Sequence, residues 1–489
     1  MTINSSYDNP AAPAVFRAPS EAVDNNNVPP DQKPVIVATA YPAAGHSGAT
    51  VQVASHLAQK GYPVYFITGP DFKPAIERSG GIYVENDFKA DAAKLALTET
   101  IPDAHERILH QLKHIFADGM SIAHRQLKAT LERVRDEHPS RPVIILHEAL
   151  AQSLLPFYFG APLPKGYDAL PPIINFSPQN NYASDENIPP FGPGLPYDPT
   201  PENKALWKTI YASFQDSAKI LNAYWNPIMR SLGATRDMRE WMFDVFFTLG
   251  DVIVFPTSPS TEYPRSGPAT ERNRYIGGLP LRPLSPDFKY PTWWGGIADN
   301  AALPEADRKK VVFITQGTVM VNYKELIVPA VRALAKRDDL LVVVTLGCRG
   351  AELTAAQLGM EAVPENTTVV DYIPYDVVLA KTDVFVTNAG YNGFMHGIMN
   401  GVPMLLAGVE ADKGEVAARA EWCGTAVNLR TGTPTEEQIA EGVEKVLGDD
   451  RYKARVMALK KENEDMDALR RMEEIVEDLM RRKYGALKE

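Results

Sequence analysis

His46 and Glu148 are the side chains whose types and settings could move a proton. His46 lies in YPAAGHSG, directly after the apolar run PVIVATA and before a helical face of Val51, Ala54, Leu57 and Ala58. At a helix start the backbone N–H groups disfavour the imidazolium, which suits a general base working near neutral pH. Glu148 falls in the run RPVIILHEAL and could orient that imidazole and stabilise it once protonated. His147 competes for the same place. Side chains alternate along a strand, so one of the pair points in and the other out, and the sequence leaves open which. His110 and His114 stand four apart, as metal ligands can, but no HExxH glutamate separates them and Lys113 lies between them, so a solvated helix face is expected. Asp465-Met466-Asp467 has a DxD form but sits in a charged helical tail. No catalytic metal is expected.

A second feature is TNAGYNG, Thr387 to Gly393, between the apolar run DVFV and the helical FMHGIMNG. A strand that ends in Gly390 and Gly393 before a helix directs free backbone N–H groups toward one spot, which can hold an anion. The spacing is neither GxGxxG nor a GxxxxGK[ST] element, and a tight turn without a ligand is the competing reading.

The elements that must position these residues follow from apolar periodicity. PVIVATA, a helix and PVYFIT form an opening βαβ unit. A long helix is expected from Ile108 to Val134, then strands at RPVIILHEAL, PPIINFS and VIVFPTS, with a helical segment over 203–250 that carries Trp207, Trp225 and Trp241. The loop NYASDENIPPFGPGLPYDPTPEN is long for a compact domain, as binding loops are. The pattern restarts with VVFITQG, a helix over 323–336, LLVVVTLG, TTVVDYIP, DVFVTNAG, VPMLLAG and TAVNL. That reads as a second open parallel sheet, and two such domains leave a cleft between their strand ends. The expected division is a flexible tail over 1–33, a first domain over 34–256, a second over 257–455, and a C-terminal helix over 456–489.

Composition limits the partners. The chain has 489 residues, 40 of them proline, and a formal net charge of -11; that acidity argues against a nucleic-acid surface. Two distant cysteines, Cys348 and Cys423, make no disulfide framework. No signal peptide or apolar run of membrane-spanning length appears, so a cytoplasmic protein is expected.

From Tyr372 to Ala418 the sequence YIPYDVVLAKTDVFVTNAGYNGFMHGIMNGVPMLLAGVEADKGEVAA resembles the donor-binding signature of family 1 UDP-glycosyltransferases, and is similar in particular to the fungal small-molecule glucosyltransferases. GHSG, QGTV and IPPFGPGLP fall where that branch has counterparts. The resemblance implies a GT-B fold of two Rossmann-like domains, with the C-terminal helix crossing back to the first. It also implies inverting transfer of a hexose, glucose by default, from a UDP-sugar to an acceptor hydroxyl. No cofactor beyond the donor is implied. His46 matches the catalytic histidine and Glu148 its acidic partner, a longer side chain than the usual aspartate. Gly317 and Thr318 match the loop that approaches the phosphates. Tyr372 replaces the tryptophan that stacks on uracil, and the backbone of Ile373 reads the base edge. Asn388 replaces a phosphate-contacting histidine, so the diphosphate would rest more on the N–H groups of Gly390 and Gly393 and on Asn392. His396 stands where a glutamate usually grips the ribose. Asp412 keeps the contact with sugar hydroxyls, and Lys413 replaces a glutamine. The acceptor pocket should come from the first domain, including Phe191, Trp225 and Trp241, whose character favours an apolar or aromatic acceptor.

Two other readings compete. AAGHSG could be an atypical dinucleotide turn of an NAD(P)-dependent reductase, but it lacks a correctly spaced third glycine, and no clear acidic residue ends PVYFIT. A non-catalytic nucleotide-sugar-binding protein would not need a histidine and an acid at the cleft.

Overall fold

The computed structural model describes residues 33–485, apart from 99, 267, 286 and 318–321. The expected tail over 1–33 lies outside these residues except for Lys33. Seven parallel strands form the first sheet: β1 (Val35–Thr39), β2 (Val64–Thr68), β3 (Ile82–Glu85), β4 (Val143–Glu148), β5 (Ile173–Phe176), β6 (Val252–Phe255) and β7 (Asn273–Tyr275), in the order β3-β2-β1-β4-β5-β6-β7. The second sheet is also parallel, with β8 (Lys310–Thr315), β9 (Leu340–Thr345), β10 (Thr367–Val370), β11 (Val384–Thr387), β12 (Met404–Leu406) and β13 (Ala426–Asn428) in the order β10-β9-β8-β11-β12-β13. Strands covered by helices on both faces are buried along their length, and so they read as unbroken apolar runs. Strand order reverses between β1 and β4 and again between β8 and β11, and ligands of open α/β sheets bind at such reversals.

The first sheet extends past the expected boundary at 256. β7 pairs with β6 through Ile253↔Asn273, Val254↔Arg274 and Phe255↔Tyr275. Its residues NRY are half-buried at the sheet edge and carry no apolar pattern.

The helices that matter for the cleft are α1 (Ala44–Gln59), α2 (Ala104–Gln111), α3 (Met120–Glu137), α4 (Pro201–Ser231), α5 (Tyr391–Asn400), α6 (Lys413–Trp422), α7 (Asp450–Asp465) and α8 (Ala468–Tyr484). The single helix expected over Ile108–Val134 is interrupted: a wide turn over Leu112–Phe116 and a tight one over Ala117–Gly119 separate α2 from α3. Gly119 lies so near the Phe88 ring that a Cβ would come within 2.9 Å of it. The interruption brings Phe116 beside Tyr41, with ring centroids 5.3 Å apart.

The C-terminal helix is likewise two. Asp467 adopts a left-handed φ of 49° and its side chain caps α8. Val456 and Leu459 of α7 pack in the core of the second domain, whereas Met472, Val476 and Leu479 of α8 join Ile36, Ala54 and Leu57 of the first. Residues from 456 onward therefore divide between the domains at Met466. Tyr484 Oη donates to the Val143 carbonyl at 3.0 Å, and Glu473 meets His56 Nε2 at 2.7 Å.

The chain crosses between domains twice, and the crossings touch. Asn463, fully buried at the end of α7, accepts from the Gly278 N–H at 2.8 Å through Oδ1 and donates to Ser258 Oγ at 3.2 Å. Gly277, at φ 88°, lies where a Cβ would collide with the Asn463 carbonyl and the Met466 side chain. Among the described residues, no helix is long and apolar enough to cross a membrane.

Candidate active site

The turn after β1 leads into α1, and His46 is the third residue of that helix. β4, the neighbour of β1 across the reversal, ends at Glu148. His46 Nδ1 lies 3.1 Å from Glu148 Oε1. The carboxylate is fully buried and also accepts the Leu150 N–H on Oε1 and the Tyr41 N–H on Oε2, each at 3.2 Å. With Nδ1–H donating to the carboxylate, Nε2 is the nitrogen left to accept a proton. Burial disfavours the imidazolium, but the charge and hydrogen bond of Glu148, with Asp412 across the cleft, outweigh it and hold the His46 pKa above the ordinary histidine value. The lowering expected from the helix start is thus overturned, because a full charge at hydrogen-bond distance exceeds a partial helix-end charge.

Strand alternation places His147 on the opposite face, in register with Thr39 and Asn175. It is buried, burial pushes it down to about 4, and neither ring nitrogen has a hydrogen-bond partner among the described residues. The neutral ring is therefore not the partner of His46.

The second domain supplies the facing wall. β8 runs into Gln316 and Gly317, which has φ 82°; Thr318 lies outside the described residues. β11 runs into Asn388, whose amide donates to the Gln316 carbonyl at 2.6 Å and so ties the two strand ends of the second reversal together. Ala389 takes a left-handed φ of 64°, and α5 follows with Gly390 at its N-cap and no side-chain cap on its first N–H groups. Gly390 has a negative φ, and a Cβ there would meet only Asn388 Oδ1, at 4.0 Å; the chain's own packing does not demand a glycine. Asn392 reaches across to the Gly45 carbonyl at 3.2 Å, so the N-termini of α1 and α5 converge beside His46.

Farther along the cleft, Tyr372 is 40% exposed, with the Arg349 guanidinium 4.3 Å from its ring centroid; Ile373 is buried. His396 Nδ1 meets Asp376 Oδ1 at 2.7 Å, and Asn400 donates to the same oxygen at 2.9 Å. Asp412 is the N-cap residue of α6, followed by Lys413; both are half-buried.

The acceptor expectations fare less evenly. Phe191 is half-buried against Tyr182 and Phe243, with ring centroids 4.7 and 4.8 Å away. Trp225 and Trp241 are 0% and 3% exposed inside the first domain's core and offer no face to a ligand; aromatic residues on an amphipathic stripe are core first. The rings that flank His46 are instead Tyr41 and Phe116, with centroids at 5.4 and 6.2 Å. Tyr41 is readable beside GHSG, but Phe116 arrives only through the broken helix. Arg282 was also hidden: from the connecting segment it donates to the Gly48 carbonyl and Gln52 Oε1 of α1, and it is close enough to Asp376 to feel its charge.

His110 and His114 are half-buried, not solvated. His110 pairs with Thr98 and His114 with Asp118, which also accepts from Lys94 and Tyr224. Among the described residues no group of three or more His, Cys, Asp or Glu is arranged to hold a metal ion.

Two Rossmann-like parallel sheets facing each other across a cleft are the GT-B architecture. The solved glycosyltransferase of kitacinnamycin has this fold (TM-score 0.64, 17% identity, 91% of this chain and 99% of that one), as does the calicheamicin glycosyltransferase CalG4 (TM-score 0.61, 16% identity, 92% and 99%). The family model for UDP-glucoronosyl and UDP-glucosyl transferases matches residues 310–487. UDP-glucosyltransferase 1 of Beauveria bassiana (strain ARSEF 2860) is 37% identical over 442 residues, covering 89% of this chain and 93% of that protein. UDP-glucosyltransferase B1 of Starmerella bombicola is 30% identical over 460 residues, covering 92% and 99%. The chain belongs to the UDP-glycosyltransferase family and is an enzyme of that kind.

Proposed function

We propose that the enzyme transfers glucose from UDP-glucose to a hydroxyl of an apolar or aromatic small molecule, with inversion and without a metal. The observation that carries this reading is His46 Nδ1 held on a buried, triply hydrogen-bonded Glu148, which leaves Nε2 to face the cleft between aromatic rings. In this reading Nε2 takes the acceptor's hydroxyl proton as its oxygen attacks the anomeric carbon, and UDP leaves from the opposite face. The imidazolium formed is stabilised by Glu148, whose charge is already in place.

On the donor side, Tyr372 stacks on uracil and the Ile373 backbone reads the base edge, while His396 meets the ribose. Gly317, Asn388, Gly390, Asn392 and Gly393 surround the diphosphate, a role the resemblance also gives Thr318. The converging N-termini of α1 and α5 then face the charge that develops on UDP. Asp412 and Lys413 hold the sugar, and Phe191 contributes to the acceptor wall. The glucosyltransferase relatives support glucose.

His46→Ala tests the assignment. Transfer should fall by about 10²–10⁴-fold, the usual contribution of general-base catalysis, while calorimetric UDP affinity stays the same. Transfer at the wild-type rate would remove His46 from the reaction.

A further inference from the structure

Helix α6 starts at the sugar end of the cleft and lies in the seam between the domains, with every residue from Gly414 to Ala420 buried. A helix buried all round is ordinarily apolar. This one carries Glu415 and Arg419, each 1% exposed. Arg419 donates to Glu262 Oε1 at 2.7 Å from Nε and to Glu415 Oε2 at 3.3 Å from Nη1, and it lies over the Tyr263 ring at 4.3 Å. Glu262, which follows β6 in the first domain, also accepts the Asn181 N–H at 3.0 Å.

The other Glu415 oxygen, Oε1, accepts the N–H groups of Gly192 and Gly194, both at 2.9 Å. These belong to the Pro/Gly-rich loop of the first domain, immediately after Phe191. Gly194 has φ 59°, and a Cβ on it would come within 2.9 Å of the Gly414 Cα. Two glycines thus meet backbone to backbone across the seam, beside a carboxylate that binds loop and helix together.

Two buried carboxylates against one guanidinium form a poor stability device, because desolvation consumes most of the attraction. Such a group does fix geometry: all four carboxylate oxygens of Glu262 and Glu415 accept hydrogen bonds in one placement of loop on helix. We propose that Glu415 is a positioning residue that seats the Phe191 loop on α6, so that the acceptor wall and the sugar end of the cleft form as one unit that excludes water from the anomeric carbon. The consequence for water rests on the transferase reading; the seating does not.

Glu415→Gln, Glu415→Ala and Gly194→Ala test it in the full-length chain. With UDP-glucose, hydrolysis breaks the bond from C1 to the UDP oxygen and forms one from C1 to a water oxygen, giving glucose and UDP. The ratio of this hydrolysis to transfer, and the acceptor KM, should each rise about tenfold or more, as misplacement of reacting groups does. UDP affinity should not change, and limited proteolysis within residues 185–200 should accelerate. Gly194→Ala disturbs the seating without altering charge, and it decides the matter where a Glu415 variant fails to fold. Variants with wild-type proteolysis, KM and hydrolysis-to-transfer ratio would overturn the proposal. Should the wild-type enzyme release no UDP with any acceptor, the transfer reading fails while the proteolysis still decides the seating.

Discussion

His46 titrates in the field of two carboxylates, Glu148 and Asp412, and this fixes the sign of its pH behaviour. As the proposed base, His46 is competent only when neutral, so kcat/KM should fall with decreasing pH through a value above the free-histidine pKa of about 6.5. Glu148→Gln removes the strongest stabiliser of the imidazolium. Its acidic limb should therefore move to lower pH, with the plateau reduced by about tenfold or more; a pH–rate profile whose limb does not move would refute the coupling. Linkage gives a parallel expectation for stability. The raised His46 pKa contributes fully below its unfolded value of 6.5 and is lost as pH rises through the folded one. Against the cost of burial, His46 and the hydrogen bonds hold Glu148 below its ordinary 4.5. That contribution is present above 4.5 and is lost as pH falls through the folded value. The pair should therefore stabilise most between 4.5 and 6.5, where thermal unfolding should separate wild type from Glu148→Gln most widely. The two residues were legible because each lies at or just beyond the end of a strand at the reversal of the first sheet. The choice of Glu148 over His147 was not, because it depends on which sheet face meets α1.

At the scale of elements, apolar runs announced the covered strands, but β3 and β7 are partly exposed edges with little pattern to read. Helix breaks were also hidden, since periodicity continues through the turns at Leu112–Gly119 and Asp467. The tryptophans show the same ambiguity. Trp225→Ala should cost about 3–5 kcal/mol of stability, as large-to-small core changes do, with acceptor KM unchanged in the folded enzyme; a raised KM at unchanged stability would restore Trp225 to the acceptor site. Gly408, in VPMLLAG, has a clearer structural reason than TNAGYNG. A Cβ there would stand inside the van der Waals shell of the Asn388 carbonyl oxygen, and backbone cannot swing aside as a flexible side chain can. Gly408→Ala should displace the turn before α5, lowering both the melting temperature and UDP affinity measured by calorimetry.

For the whole molecule, ligand linkage offers a direct check on the donor. UDP at about 100 times its Kd should stabilise the protein by about 2.7 kcal/mol and raise the melting temperature without added metal, whereas NADPH should leave it unchanged. The sequence revealed two domains but not how they are joined, because the contact between Gly277–Gly278 and Asn463 spans 185 positions in the chain. That join restricts the protein's degrees of freedom. Both crossings are fastened to each other at that locus, and the Glu262–Arg419–Glu415 cluster ties the same two lobes along the seam. Any opening of the cleft must then part the seam cluster while the crossings stay together, so each closure should return His46 to the same point opposite α5.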